Sequence, residues 1–123
     1  MIIIDLSVEK FQLIIKGHAQ PEETEDYFQV CAGASMLAQG LAHSIAKFQK
    51  QQDGIKRILY RGDPGDMVLE VEPEPWAEAT VRKRMRAYAD GMELLALSNP
   101  ESVTMIWDGV PVVKPEEGEE KDE

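Results

Sequence analysis

The sequence predicts an α+β fold: a single domain with one mixed or antiparallel sheet and two helices packed on it. Short runs rich in β-branched residues occur in pairs around turn signals, and two longer segments carry apolar side chains at helical spacing. Their order along the chain is β-β-α-β-β-α-β. The 123 residues, 43% of them hydrophobic, are enough for one core.

The first predicted unit is a hairpin that leads into a loop. Residues 2–6 and 11–16 are rich in β-formers, and a short polar segment separates them. The second of these strands brings Gly17 and His18 to its end. Residues 19–28 are polar and acidic and follow neither a helical nor a strand period, which predicts a mobile surface loop.

Two helices are predicted from apolar stripes. The first spans residues 31–51 and the second residues 76–97, because apolar side chains recur at intervals of three and four in both segments. The stripes consist of Leu37, Leu41, Ile45 and Phe48 in the first helix and of Val81, Met85, Tyr88, Met92 and Leu95 in the second.

The remaining strands complete the domain. Residues 55–60 and 67–71 flank a turn dense in Gly, Asp and Pro, so they predict a second hairpin. Residues 103–107 alternate in polarity and form the last predicted strand. The domain is therefore placed at residues 1–108. Residues 109–123 are acidic and poor in apolar side chains, which predicts a disordered acidic tail.

Composition limits the partners. A formal net charge of −10 repels phosphate backbones and anionic lipids, so neither nucleic acid nor a membrane is expected as partner, and basic peptides are favoured. No long apolar run or signal peptide is recognised, and the single cysteine agrees with a reducing compartment, so a cytoplasmic location is expected. The acidic residues lack a spacing that fixes metal geometry, and no metal or cofactor is predicted.

That single cysteine, Cys31, is the candidate nucleophile. At the start of a helix, unpaired N–H groups and the helix dipole favour the thiolate and can stabilise an oxyanion beside it. A thiolate needs a nearby acid–base group, which histidine provides at neutral pH. His43 lies twelve residues further along the same predicted helix, roughly 18 Å away. His18 is therefore the candidate base.

Two short motifs carry a family resemblance. Gly17-His18-Ala19, followed by Val30-Cys31-Ala32-Gly33-Ala34-Ser35, resembles the ribosomal-processing cysteine protease (Prp) family in both elements and in their order. The likeness in size and predicted elements covers about residues 1–108. It implies a peptidase with a Cys–His dyad that removes a short N-terminal extension from large-subunit ribosomal protein L-twenty-seven, cutting after an aromatic pair.

The resemblance also assigns residues. It implies Cys31 as nucleophile and His18 as general base. It places Ser35 in a substrate-binding or supporting role, together with Gly17 and Ala32 of the two motifs. Family members carry Asp three residues before the cysteine, where this chain has Phe28; Asp26 or Glu25 is the candidate replacement.

Two alternatives to that function remain. A prophage-encoded relative would keep the chemistry and process a phage capsid or scaffold protein, and the acidic tail, which is unlike the family, motivates this alternative. A catalytically silent module would bind an N-terminal peptide without cutting it. The expected partner is thus a ribosomal protein precursor or a phage structural protein, and the family resemblance implies a homodimer.

Overall fold

The computed structural model of the chain describes residues 1–113. These residues form one six-stranded sheet with strand order β3-β4-β2-β1-β5-β6, packed against two helices. In chain order the elements are β1 (Ile2–Ser7), β2 (Gln12–Gly17), α1 (Tyr27–Gln52), β3 (Ile55–Asp63), β4 (Asp66–Pro73), a 3₁₀ turn (Pro75–Ala77), α2 (Glu78–Ser98), β5 (Val103–Trp107) and β6 (Val110–Pro111). The predicted fold class and the order of its first seven regular elements are confirmed.

The helices cover one face of the sheet. In β1 the buried side chains Ile2, Ile4 and Leu6 alternate with Ile3, which is 45% exposed on the opposite face. Strand β1 pairs with β5 in parallel, whereas all other pairings in the described sheet are antiparallel, so the sheet is mixed. The buried alternation places the core between this face and the two helix stripes.

The two helices approach each other closely where glycine replaces a side chain. A β-carbon on Gly40 of α1 would come within 2.7 Å of the Tyr88 ring on α2. A β-carbon on Gly91 of α2 would come within 2.8 Å of Leu37 on α1. A large side chain of the opposite helix fills the space at each glycine, Tyr88 at Gly40 and Leu37 at Gly91. Both side chains belong to the predicted stripes, and they are partly buried because they pack between the two helices.

The predicted start of α1 is wrong by four residues. The helix begins at Tyr27, and the Val30 N–H donates to the Asp26 carbonyl at 3.0 Å as its first helical hydrogen bond. Burial of Val30 anchors this additional turn in the core. Cys31 is therefore the fifth helical residue, and its N–H lies within the helical hydrogen-bond pattern. Because the field of a helix end falls off within one turn, the predicted amide site belongs to residues 27–29.

The sheet also continues past the predicted domain boundary at residue 108. Asp108 and Gly109, both with positive φ, turn the chain back so that Val110–Pro111 pairs with β5. The rest of the predicted acidic tail, residues 114–123, lies outside the described residues. Within residues 1–113, no helix is both long and apolar enough to cross a bilayer.

Candidate active site

The site forms where the ends of two strands meet. Strand β2 runs antiparallel to β4, and their register pairs Lys16 at the end of β2 with Asp66 at the start of β4. The turn that enters β4 therefore lies beside the residues that leave β2. The Gly17 N–H donates to the Gly65 carbonyl at 3.0 Å, which joins the two segments directly.

A cleft of about 470 Å³ lies between this strand end and α1. Its volume is within the range of small-molecule and peptide side-chain sites. Cys31, His18, Ser35, Gly17 and Ala32, five of the six residues singled out in the sequence, line it. The other lining residues are Ile2, Ile15, Phe28, Ala34, Gln39, Gly62, Pro64, Gly65 and Met67.

The cysteine sulfur is accessible from this cleft. Cys31 is half-buried, and its Sγ lies 3.9 Å from the carbonyl oxygen of Ala19. Ala19 follows His18 directly and is itself buried. The sulfur thus packs against the backbone next to the histidine, and α1 and the end of β2 together bring the candidate nucleophile and base to one cleft.

The His18 side chain is exposed and lies on the turn between β3 and β4. A β-carbon on Gly65 would overlap the His18 Nε2 atom, so the imidazole packs directly against the Gly65 backbone. Gly65 has a φ of +74°, a conformation that glycine adopts without strain. Within residues 1–113, no hydrogen bond joins the ring to the Cys31 sulfur.

No carboxylate orients the His18 ring among the described residues, because neither a hydrogen bond nor an ion pair links it to Asp26 or Glu25. Asp26 occupies the N-cap position of α1, makes no side-chain cap bond there and does not line the cleft. In the same range, no group of three His, Cys, Asp or Glu side chains could hold a metal ion.

Ser35 is held in place by a neighbour on its own helix. The Gln39 Nε2 atom donates to the Ser35 Oγ atom at 2.9 Å, one turn further along α1. The serine oxygen is the acceptor in this bond, so its own proton is available to an acceptor in the cleft. Cys31, Ser35 and Gln39 are spaced by four residues and present one face of α1 to the cleft.

The loop after β2 is tied to the chain start. The Met1 ammonium donates to the His18 carbonyl at 2.6 Å and to the Glu23 Oε1 atom at 2.7 Å. The same carboxylate oxygen accepts the Gln20 N–H at 2.9 Å. The hydrogen bond from the ammonium lowers the pKa of the Glu23 carboxyl below its usual value. This clamp holds the backbone that carries His18 and Ala19.

Replacing Glu23 with glutamine should loosen the loop. Because its carboxyl pKa is lowered in the folded chain, the clamp is at full strength above the ordinary carboxyl pKa and is lost as the pH falls through the lowered value. Amide hydrogen exchange in residues 19–24 should therefore accelerate about tenfold at neutral pH in Glu23→Gln. After correction for the intrinsic pH dependence of amide exchange, protection of this loop should fall at acid pH in the parent and stay constant in Glu23→Gln.

Glu22→Gln, at the adjacent exposed position, is the matched control for this exchange measurement. Equal exchange rates in the two variants would contradict a role for the Glu23 clamp.

The structure adds residues that the sequence did not single out. Phe28 lines the cleft and is 74% exposed, although the sequence noted it only as a departure from the family motif. Gly62, Pro64 and Gly65 belong to the predicted hairpin turn, whose place beside His18 depends on the pairing of β2 with β4. In the sequence, the glycine content of that turn is the only indication that another segment packs closely against it.

The solved structures that share this fold include the following two. An essential ribosomal processing protease Prp from S. aureus, in complex with a covalently linked product peptide, is 16% identical, with a TM-score of 0.57; the match covers 87% of this chain and 99% of that one. SMU.848 from Streptococcus mutans is 17% identical, with a TM-score of 0.58; the match covers 92% of this chain and 93% of that one. No family model and no curated protein matches the sequence.

Proposed function

We propose that this chain is a cysteine endopeptidase of the Prp family that uses Cys31 as nucleophile and His18 as general base. The observation that carries the proposal is that these two residues, thirteen positions apart, line the same cleft. The two motifs around them and the fold shared with the S. aureus protease support it. The proposed substrate is the precursor of large-subunit ribosomal protein L-twenty-seven, from which the enzyme removes a short N-terminal extension.

The chemistry follows from the two groups. His18 takes the Cys31 proton, and the thiolate attacks the scissile carbonyl carbon to form a C–S bond. The C–N bond then breaks as the imidazolium donates its proton to the leaving amine. Water, deprotonated by His18, attacks the resulting thioester; the acid product departs and the thiol is restored. Hydrogen bonds between catalytic groups are often long or poorly aligned before substrate binds, so we expect the bond between His18 and the Cys31 sulfur to form in the complex with substrate.

The oxyanion of this reaction requires a donor. The sequence predicts unpaired N–H groups at the helix start as donors, but the first-turn amides of α1 precede Cys31 by two to four residues. The Ser35 hydroxyl is a suitable candidate because Gln39 occupies its oxygen as acceptor and leaves its proton for the cleft. This gives the motif serine a defined role in binding the substrate carbonyl.

Charge favours a basic substrate. The loop beside the cleft carries the exposed carboxylates Glu22, Glu25 and Asp26, and the whole chain has a net charge of −10. A Lys-rich stretch next to the cut site, as expected of a ribosomal protein, would be attracted to this side of the cleft. The family resemblance extends the proposal to a cytoplasmic homodimer.

The decisive experiment uses the fact that Cys31 is the only cysteine of the chain. The precursor of ribosomal protein L-twenty-seven is incubated with the protein before and after alkylation by iodoacetamide, and the products are identified by mass spectrometry. Untreated protein should release the N-terminal extension, whereas alkylated protein should release none. Cleavage that survives complete alkylation, or an intact precursor with untreated protein, would overturn the proposal.

One observation favours a second candidate. Within residues 1–113, the Cys31 sulfur and the His18 ring are not hydrogen-bonded, as expected if the cleft binds an N-terminal peptide without cutting it. In that case the untreated protein would retain the precursor peptide intact with a measurable Kd, and alkylation would weaken binding by blocking the cleft.

A further inference from the structure

Strand β3 presents a long free edge. It contains nine residues, pairs only with β4 among the described strands, and is exposed from Lys56 to Asp63. Every second residue of an edge strand directs its backbone N–H and C=O groups outward, where they lack a partner strand. Such an edge can pair with an extended peptide through main-chain hydrogen bonds.

A groove runs beside this edge. It has a volume of about 890 Å³ and lies between the outer flank of α1 and the end of β3. Its apolar wall includes Met36, which is 67% exposed, Ala46 and Tyr60. Gln39 and Gly62 line both this groove and the cleft that holds Cys31. The two depressions therefore adjoin each other.

Tyr60 lies on the wall of this groove, two residues before Gly62, which the groove shares with the cleft. Tyr60 is opposite buried Leu69 in the register of β3 and β4, so its side chain lies on the helix-covered face of the sheet. A β-carbon on Gly62 would come within 2.5 Å of the Tyr60 hydroxyl, so the missing side chain lets the ring extend along the strand towards the cleft. Tyr60 is nevertheless 39% exposed, which leaves part of it free to contact a ligand.

We propose that the β3 edge and the groove beside it bind the part of the substrate peptide that continues from the scissile bond. The peptide adds to the sheet as an extended strand, and an apolar side chain of the substrate packs on Tyr60 and Met36. Tyr60 precedes Gly62 by two residues, so this contact lies roughly 7 Å along the strand from the cleft. The inference rests on the proposed function, because it takes the occupant of the cleft to be a peptide.

A second copy of the chain fits this edge less well. An antiparallel two-fold pairing centred on Leu59 would place Arg57 of one copy opposite Arg61 of the other. Like charges directly opposite each other destabilise a strand pair. A substrate peptide has no such two-fold constraint, and the catalytic groups already position it. Its Lys-rich stretch is expected at the acidic loop beside the cleft, which leaves the other side of the cut site for the β3 edge.

The test compares a short and a long peptide around the cut site of the ribosomal protein L-twenty-seven precursor. The long peptide extends further on both sides by the length of β3. The parent should cleave the long peptide with a KM about tenfold below that of the short one. Met36→Glu and Tyr60→Ser should remove this advantage through KM, and Leu94→Glu should retain it, because Leu94 is equally exposed (66%) on α2.

Hydrogen exchange on Cys31→Ala separates binding from chemistry. Protection of β3 amides by the long peptide, and loss of that protection when alternate peptide nitrogens are methylated, supports the added strand. Cleavage of both peptides with equal KM and no β3 protection would overturn the inference and leave the proposed function intact. Protected β3 amides in Cys31→Ala, together with a peptide that the parent protein leaves uncut, would leave the inference intact and overturn the proposed function. Protection that appears without peptide and grows with protein concentration would assign the edge to a second copy and overturn the inference.

Discussion

Replacing His18 with alanine should lower kcat/KM for the precursor about as far as replacing Cys31 does, by about 10³-fold or more, and the double variant should lose no more. The reason is that a nucleophile and its base act as one unit, so the second loss removes nothing further. The measurement is single-turnover cleavage of the short peptide by the two single variants and the double variant.

Both side chains can be removed with little effect on the core. His18 is exposed and Cys31 is half-buried, so the thermal midpoints of all three variants should stay close to that of the parent. If the losses of the two single variants instead multiply in the double variant, the two residues contribute independently, and the dyad would have to be abandoned.

Replacing Gly65 with alanine should lower kcat by about 10²-fold while KM changes little. The added methyl group would occupy the position of the His18 Nε2 atom, so the imidazole must leave the surface on which it packs. General acid–base transfer requires the base within hydrogen-bond reach of the proton, and a misplacement of about 1 Å can cost about 10²-fold in rate. We expect Gly65 to act as a positioning residue for His18.

Gly109 offers a matched control. It also has a positive φ, +80°, but a β-carbon there would meet nothing within 4 Å. Gly109→Ala should therefore share the backbone cost of about 1 kcal/mol and keep its activity. The imidazole resonances of His18 should shift in Gly65→Ala and stay in place in Gly109→Ala. Equal activity in the two variants would show that the β3–β4 turn does not position the histidine.

The fold was predictable because its signals are local. Alternation in β1 and the three- and four-residue intervals in both helices each need only a dozen residues of sequence. Cys31 and His18 were found in the same way, as a lone thiol and a histidine at a strand end. The two short motifs then gave them a family context, and their common cleft agrees with it.

Boundaries and the wall of the site were less predictable. Residues 27–30 lack a marked helix-start signal beyond Asp26, and the acidic run before them hid the first turn of α1. Their helical state depends on burying Val30 against the sheet, a tertiary contact. Phe28 entered the cleft for the same reason, because the additional turn carries its side chain to the face that also bears Cys31.

The amino-acid pattern alone was sufficient for the element types and the single core, and it singled out Cys31 and His18 as candidates, since each of these depends on neighbours within a few positions. The tertiary structure determined which other residues surround Cys31 and His18. The pairing of β2 with β4 brings the β3–β4 turn, which is distant in sequence, next to His18. Strand β3 is an outermost strand of the sheet, so one of its edges has no partner among the described strands. Contacts of this kind join residues about fifty positions apart, and their energy comes from packing and strand register, for which a short stretch of sequence carries no signal.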